Sequence, residues 1–289
     1  MQETTDMAIE TVGIVGAGTM GNGIAQTAAV SGLKVMMIDL AEAALVKGMA
    51  TLTSSLERLV AKEKIDAATR DAALARIETS TDYQRLANVD LVIEAATEST
   101  ELKVRILKQI EASARADSII ASNTSSISIT ALASTLSDAS RFVGMHFFNP
   151  VPLMPLVEII RGLQTNDATV QAIRELTTRF GKSPICVRNA PGFVVNRILV
   201  PMINEAFFVL AEGVATAEEI DAGMRLGANH PIGPLALADL VGLDVCLSVL
   251  DVFAKDFGDP KYRACPLLRE FVAAGRLGRK TGQGVYGYD

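Results

Sequence analysis

The feature that most constrains the fold is a cluster of glycines near the start of the chain. Gly16, Gly18 and Gly21 form the pattern G-x-G-x-x-G directly after the short apolar run Thr11–Val15, and an apolar helical pattern follows. Such a strand, turn and helix present backbone N–H groups and the helix dipole to a pyrophosphate, whose approach a Cβ would block. The motif therefore predicts a dinucleotide site, with a plain helix-entry turn as the alternative.

An acidic residue at the end of the next apolar run supports the dinucleotide site. Residues 35–39 form a second strand candidate, and Asp39 lies close to the ~20-residue offset at which a carboxylate accepts hydrogen bonds from the adenosine ribose. A carboxylate there also repels a ribose 2′-phosphate, and Leu40 and Ala41 offer no arginine to accommodate one. We therefore expect NAD as the cofactor, and not NADP.

Strand and helix patterns alternate along the first two thirds of the chain. Further strand candidates lie at residues 91–94, 118–122, 142–145 and 185–188, and helical patterns cover residues 41–62, 67–76 and 101–114. Continuous apolar runs are typical of strands that are buried on both faces. The alternation predicts the α/β class, with a Rossmann-type doubly wound parallel sheet.

The pattern changes at Asn189, where a short turn precedes a region of long helical patterns. Only residues 284–288 suggest a strand in that region. We place a domain boundary here, with a Rossmann-like NAD-binding domain at residues 1–188 and a smaller all-helical domain, for the substrate cleft and dimerisation, at residues 189–289. Pro201 lies inside the first helix of the second domain and predicts a kink or break there.

Composition argues against several classes of function. The chain has 27 Lys and Arg against 33 Asp and Glu, and no basic cluster, which argues against a nucleic-acid partner. Residues 1–10 lack the basic start of a secretory signal, and polar side chains interrupt the apolar stretch at 193–210, so we expect no export and no membrane span. Three scattered cysteines and two histidines argue against disulfides and against a metal centre, and they favour a cytoplasmic protein.

Two polar segments carry the candidate chemistry. The run SNTSS at residues 122–126 follows an apolar strand, and ligands bind at the carboxyl ends of strands in open α/β sheets. The alternative for these residues is a helix cap and turn. His146 lies beside Phe147 and Phe148, where a core histidine is the alternative. Oxidation of an alcohol requires a base that titrates near neutral pH, and imidazole is such a base.

Six segments together resemble the 3-hydroxyacyl-CoA dehydrogenases, and in particular the short, single-function bacterial members of that family. They follow the family's order: GAGTMG (16–21), SNTSS (122–126), HFFNPVPLMPLVEI (146–159), PGFVVNRILVPMINEA (191–206), NHPIGPL (229–235) and GRKTGQGVYGY (278–288). The resemblance implies a reversible NAD-dependent oxidation of (3S)-3-hydroxyacyl-CoA, in particular 3-hydroxybutyryl-CoA, to the 3-oxoacyl-CoA.

The resemblance also implies roles for individual residues. His146 is the implied general base and Glu158 its acidic partner, while Ser125 and Asn196 hold the substrate oxygens; a structural cap is the alternative for Asn196. The implied cofactor contacts are Gly16, Gly18, Thr19, Met20, Gly21, Asp39, Glu98, Lys103 and Asn123. For Glu98 and Lys103, the alternative is a solvated position near the start of a helix.

Two cations are candidates for binding coenzyme A. Arg58 and Lys62 lie four residues apart in a helical pattern and share one face. The resemblance implies that this face contacts the nucleotide of the acyl carrier. The alternative is an exposed face on which Glu57 and Glu63 form salt bridges with the two cations.

The chain departs from the family pattern at one point near the implied acid. Relatives commonly carry a basic residue just before the LVEI segment, whereas here Met154 is followed by Pro155. The difference removes a positive charge and a backbone N–H near Glu158, and puts the local electrostatics in doubt.

The resemblance implies a homodimer, and abundant apolar residues in the helical domain support pairing through it. These residues are Phe207, Phe208, Leu210, Leu235, Leu237 and Leu240. Two other functions stay open: a dehydrogenase of a free hydroxy or sugar acid on the same fold, and a non-catalytic dinucleotide-binding protein.

Overall fold

The chain folds into two compact units that divide between Ala190 and Pro191 in a computed structural model, which describes residues 9–288. Asn189, at which the sequence places the start of the helical domain, makes its side-chain contacts within the first unit. Its Oδ1 accepts a hydrogen bond from Ile129 N at 2.8 Å, and its Nδ2 donates to Ser128 Oγ at 3.0 Å.

The first unit is a doubly wound α/β sheet, as predicted. Its strands are β1 (Thr11–Val15), β2 (Lys34–Ile38), β3 (Ile77–Ser80), β4 (Leu91–Glu94), β5 (Ile119–Ser122), β6 (Phe142–Phe147), β7 (Leu156–Arg161) and β8 (Ser183–Arg188). They form one sheet in the order β3-β2-β1-β4-β5-β6-β7-β8. Neighbouring strands are parallel except for β6 and β7, which are antiparallel. The expectation of a parallel sheet therefore fails at this one pairing.

Helices cover both faces of this sheet and bury its apolar strands. They are α1 (Thr19–Val30), α2 (Glu42–Ala61), α3 (Ala67–Ala75), α4 (Thr100–Ser113), α5 (Ile129–Ala133) and α6 (Asp167–Arg179). In α1, three alanines at helical spacing, Ala25, Ala28 and Ala29, are fully buried in the same core as Val12 and Ile14 of β1. Small side chains on this face allow the helix to approach the sheet closely.

Two strands, β3 and β7, are not among those predicted from the sequence, and one predicted strand does not form. The edge strand β3 is short and largely polar, and the sequence marks β7 only as the segment that carries Glu158. Residues 284–288 form no strand, and of these Gly287 alone takes part in an isolated bridge, to Gln283. The physical reason is that Val285 N–H and Tyr286 N–H donate to the carboxylate of Asp239 and not to a neighbouring strand.

The second unit is helical, as predicted. Its helices are α7 (Val195–Ala211), α8 (Ala217–Gly227), α9 (Pro234–Val241), α10 (Leu243–Phe257) and α11 (Pro266–Ala273). Of the predicted kink or break at Pro201, the break does not occur, since α7 continues through this residue. The missing N–H removes one helical hydrogen bond, and the buried side chains Ile203 and Phe207 in the following turns pack into the core of the unit. No helix within residues 9–288 is long and apolar enough to cross a membrane.

The apolar residues that were expected to form a surface lie mostly inside the second unit. Phe207 and Leu235 are fully buried, and Phe208, Leu210 and Leu237 pack partly buried against the core. Of this set, only Leu240 is largely exposed, at 54%. The expectation was wrong for the buried members, because they supply the core of this small unit.

Two buried aspartates fix the C-terminal segment of the second unit. Asp221 accepts hydrogen bonds from Leu235 N, Ala236 N and the hydroxyl of Tyr286, at 2.8–2.9 Å. Burial and the hydrogen bond to Asp221 raise the pKa of that phenol. A carboxylate with three donors is well compensated for its loss of water.

Asp239 has the same arrangement with a different set of donors. Its carboxylate accepts from Val285 N, Tyr286 N and the hydroxyl of Tyr288, each at 2.9 Å, and the residue is 1% exposed. The segment that ends the chain is therefore attached to α9 through one side chain.

Replacing Asp239 by Ala should destabilise the second unit strongly. The substitution leaves two backbone N–H groups without an acceptor, and the free energy of unfolding should fall by about 3 kcal/mol or more. Urea unfolding monitored by circular dichroism measures the shift. Asp244→Ala is the matched control, because Asp244 forms an exposed ion pair with Lys280, with 39% and 47% of the side chains accessible, and should change stability by less than about 1 kcal/mol. Equal shifts for the two variants would contradict the prediction.

Candidate active site

The glycine motif forms an open helix start at the carboxyl edge of the sheet. Gly18 is the N-cap of α1 and no side chain caps that helix, so N–H groups of the first turn remain available. A Cβ on Gly18 would meet no atom within 4 Å, whereas one on Gly21 would lie 1.7 Å from Gly16 O. Gly16 has φ +105°, and a Cβ there would lie 2.7 Å from Ala96 Cα. Gly18 thus leaves room for a ligand to approach, Gly21 allows the helix to pack closely on the turn, and Gly16 adopts the backbone conformation that the turn requires.

Asp39 lies at the end of β2 next to this motif. Its carboxylate accepts hydrogen bonds from Ala17 N at 2.9 Å and from Ala41 N at 3.2 Å, and the residue is partly exposed. Thr19 and Met20 form the first turn of α1, where Thr19 is exposed. The structure thus places the predicted acid in contact with the glycine loop, with part of its surface open.

Glu98 connects two segments that the sequence analysis treated separately. Its Oε2 accepts from Thr124 Oγ1 at 2.6 Å, and its Oε1 accepts from Ser125 N at 2.8 Å and Ser125 Oγ at 3.2 Å. Glu98 is therefore more than a solvated residue before a helix, since it orients the SNTSS segment.

A buried ion pair lies at the carboxyl ends of β4 and β5. The ammonium of Lys103 on α4 contacts Glu94 Oε2, and the two side chains are 1% and 0% exposed. Ser122 Oγ donates to the same oxygen at 2.8 Å, and Ala96 N donates to Glu94 Oε1 at 2.9 Å. The solvated alternative for Lys103 is thus wrong. Glu94 is not among the residues predicted from the sequence. An acidic residue at the end of an apolar strand is the feature by which it could have been found.

Asn123 joins the end of β5 to β6. Its backbone N–H donates to Glu94 O at 2.9 Å, and its side-chain Oδ1 accepts from Phe147 N at 2.9 Å. The carboxamide oxygen is thus committed to the strand that carries His146.

His146 and Glu158 form a direct, buried pair across two strands. They are opposite each other in the antiparallel register of β6 and β7, and His146 Nδ1 lies 2.8 Å from Glu158 Oε2. Glu158 is fully buried and His146 is 6% exposed. The ring of Phe148 lies 4.5 Å from the imidazole, centroid to centroid. A carboxylate at Nδ1 fixes the ring and leaves Nε2 as the nitrogen for proton transfer.

A buried lysine holds the loop between these two strands. Lys182 Nζ donates to Val151 O at 2.6 Å and to Met154 O at 2.7 Å, and Ser183 N donates to Pro155 O at 2.7 Å. Burial lowers the pKa of this ammonium. The loop that contains Pro155 therefore has a cation beside it, which comes from the residue before β8.

Arg58 and Lys62 are exposed at the end of α2. Arg58 lies in the last turn and donates to Ser54 Oγ at 3.0 Å, while Lys62 is the C-cap. In the described part of the chain, neither cation forms an ion pair. The salt bridges to Glu57 and Glu63 that the alternative requires are therefore not formed among the described residues.

Asn196 belongs to the second unit, in the first turn of α7. It is partly exposed. Within residues 9–288, no hydrogen bond of its side chain accounts for a structural cap, since α7 has no side-chain cap at its start.

Comparisons with known proteins identify the family. The family profile described as 3-hydroxyacyl-CoA dehydrogenase, NAD binding domain, matches residues 11–190, and that of 3-hydroxyacyl-CoA dehydrogenase, C-terminal domain, matches residues 192–288. The chain belongs to the 3-hydroxyacyl-CoA dehydrogenase family. The resemblance seen in the six sequence segments is thereby confirmed.

Individual members of the family match over nearly their whole length. The chain is 50% identical to a 3-hydroxybutyryl-CoA dehydrogenase of Bradyrhizobium diazoefficiens, over 97% of this chain and 96% of the relative. It is 48% identical to one of Clostridioides difficile, over 96% and 98%. A crystal structure of (S)-3-hydroxybutyryl-CoA dehydrogenase from Ralstonia eutropha has a TM-score of 0.96 at 64% identity, and the match covers 98% of this chain and 100% of that one.

The residues at the carboxyl edge fit NAD, the cofactor of this family. The uncapped start of α1 and the open space at Gly18 suit a pyrophosphate, and Asp39 suits a ribose diol. This chain is thus an NAD-dependent oxidoreductase, and the first unit contains its NAD-binding domain.

Proposed function

We propose that this enzyme oxidises (3S)-3-hydroxyacyl-CoA, with 3-hydroxybutyryl-CoA as the preferred substrate, to the 3-oxoacyl-CoA, and catalyses the reverse reaction. The observation that carries the proposal is the buried contact between His146 and Glu158. It supplies an oriented base in the same unit as the NAD site. The names of close relatives support the acyl-CoA substrate and its four-carbon chain.

When bound, NAD would supply the acceptor for the hydride from C3 of the substrate, and residues of this chain handle the proton. His146 Nε2 takes the hydroxyl proton as the C3 hydrogen leaves with its electron pair, and the carbonyl forms. Glu158 at Nδ1 keeps the ring oriented and stabilises the imidazolium that results. In the reverse direction, the imidazolium returns the proton to the oxygen.

Uncharged donors at Ser125 and Asn196 hold the substrate oxygens in this proposal. A hydroxyl and a carboxamide polarise a carbonyl without competing for the proton. Ser125 N holds this residue against Glu98 at 2.8 Å, and the Ser125 hydroxyl, which donates to Glu98 at 3.2 Å, turns its proton toward the substrate oxygen when substrate binds.

Arg58 and Lys62 bind the nucleotide part of coenzyme A in this proposal. Both cations are exposed, and no carboxylate of the described chain neutralises them. A phosphate can therefore approach without first breaking an ion pair.

We also propose that the enzyme works in the cytoplasm. Its cysteines support a reducing compartment, since Cys186, Cys246 and Cys265 are all free thiols, with Cys186 exposed.

Steady-state turnover should separate this reaction from oxidation of free acids. NADH should be consumed with acetoacetyl-CoA and not with free acetoacetate. The variant His146→Ala should lower kcat by roughly 10²- to 10⁴-fold, the usual contribution of a positioned base, while NADH binding measured by fluorescence stays unchanged. His230→Ala, which removes the chain's other imidazole, is the matched control. Turnover of acetoacetate alone, or full activity of His146→Ala, would refute the proposal.

Removing both cations of α2 should weaken binding of the acyl carrier. The double variant Arg58→Ala/Lys62→Ala should raise KM for acetoacetyl-CoA by about tenfold or more, because hydrogen bonds to charged groups contribute about 1.5–3 kcal/mol. Affinity for NADH should not change. Lys47→Ala, an exposed cation earlier in the same helix, is the control. An unchanged KM in the double variant would remove these residues from the site.

We propose, in addition, that the enzyme is a homodimer that pairs through the helical unit. An exposed apolar patch supports this: Leu240, Val241 and Val245 are 54%, 41% and 44% exposed on α9 and α10. Such side chains at neighbouring positions are typical of an interface.

Charges within this patch should convert the dimer to a monomer. Leu240→Glu/Val245→Glu places two carboxylates where the proposal has apolar contact, and burying them unpaired is unfavourable. Size-exclusion chromatography with light scattering should give twice the chain mass for the wild type and the chain mass for the variant. Val214→Glu, at an exposed position outside the patch, should leave the mass unchanged. A monomeric wild type would exclude the dimer.

A further inference from the structure

The ammonium of Lys103 is almost completely buried yet uses little of its hydrogen-bonding capacity. It can donate three hydrogen bonds. The one partner that the structure gives it, among residues 9–288, is Glu94, and the side chain is 1% exposed. Buried donors without acceptors are unfavourable, so this ammonium can accommodate a further acceptor besides those that the described residues supply.

The position of this ammonium indicates which acceptor that is. In the order β2-β1-β4-β5-β6, Asp39 follows β2 and the glycine motif follows β1, whereas His146 lies on β6. A dinucleotide that extended from an adenosine at Asp39 toward a base at His146 would cross the ends of β4 and β5 with its nicotinamide-side ribose. Lys103 contacts the residue that ends β4. Ribose hydroxyls are acceptors of the required kind.

Glu94 supports the same ligand through its second oxygen. Glu94 Oε1 accepts from Ala96 N at 2.9 Å. Ala95 and Ala96 form the surface against which Gly16 packs, at distances that exclude a Cβ. One carboxylate thus connects the cation beneath the ribose with the backbone beside the pyrophosphate turn, and Ser122 Oγ completes its set of donors.

We propose that Glu94 is a positioning residue for NAD, which acts by holding the Lys103 ammonium against the nicotinamide-side ribose and Ala95–Ala96 against the glycine turn. The inference rests on the NAD site described above and extends it to a residue without access to solvent. It predicts that loss of the ion pair weakens the binding of NADH and not that of acetoacetyl-CoA. A purely structural ion pair would support folding without this difference between the two substrates.

Variants that remove the charges of Glu94 and Lys103, singly and together, test this prediction. Removing one charge leaves the other unpaired in the interior, so Glu94→Gln and Lys103→Met should each lower the melting temperature. The double variant Glu94→Gln/Lys103→Met contains neither charge and should recover most of that loss. We expect it nevertheless to bind NADH at least about tenfold more weakly in a fluorescence titration. Its KM for acetoacetyl-CoA at saturating NADH should equal that of the wild type.

A second variant keeps the test independent of folding. Glu94→Asp retains the charge and withdraws the carboxylate by one methylene, so NADH affinity should fall while the melting temperature falls less than in Glu94→Gln, because Lys103 keeps an opposite charge nearby. Glu101→Gln/Arg105→Met is the matched control, because it removes an exposed ion pair from the same helix, with 79% and 71% of the two side chains accessible. It should leave the melting temperature and NADH affinity unchanged.

The outcomes separate this inference from the proposed function. Wild-type affinity for NADH in Glu94→Asp or in the neutral double variant would overturn the role of Glu94 and leave the reaction intact. An equal rise in KM for acetoacetyl-CoA would also overturn it, because the effect would then not be specific to the cofactor. Failure of the wild-type enzyme to turn over acetoacetyl-CoA would instead refute the proposed function.

Discussion

A carboxylate can be buried only where donors surround it, and this requirement organises the carboxyl edge of the sheet. Glu94 and Glu158 are both fully buried there. Glu94 is surrounded by an ammonium, a hydroxyl and a backbone N–H, whereas Glu158 is paired with an imidazole. The two acids differ in consequence. The first is held by donors of the cofactor edge, and the second by the imidazole that is the proposed base.

Much of this architecture was predictable because it depends on local sequence. The glycine turn, the acid after β2 and the alternation of strands and helices are patterns within a few residues of each other, and the structure confirms them. The resemblance to a family extended the prediction to His146 and Glu158. The site roles themselves stay predictions until they are tested by mutation.

The errors arose where distant residues decide the outcome. From the sequence alone, Lys103 resembles a solvated cation, because no pattern in α4 reveals that Glu94 lies beside it in the fold. In the helical unit, Asp239 diverts the N–H groups of Val285 and Tyr286, so a strand-like sequence forms no strand. Pro201 is tolerated because the flanking turns of α7 are packed in the core. Each case is one of tertiary contact prevailing over local preference.

The antiparallel register of β6 and β7 leaves the acid–base pair little freedom to move during evolution. Side chains on one face of a sheet recur at every second residue, so the adjacent rung on the same face is Gly144 opposite Ile160. A Cβ at Gly144 would lie 2.7 Å from that of Ile160. Moving the His–Glu pair to positions 144 and 160 would therefore require the neighbouring core to be rebuilt. The loop that joins the two strands is not restricted in this way.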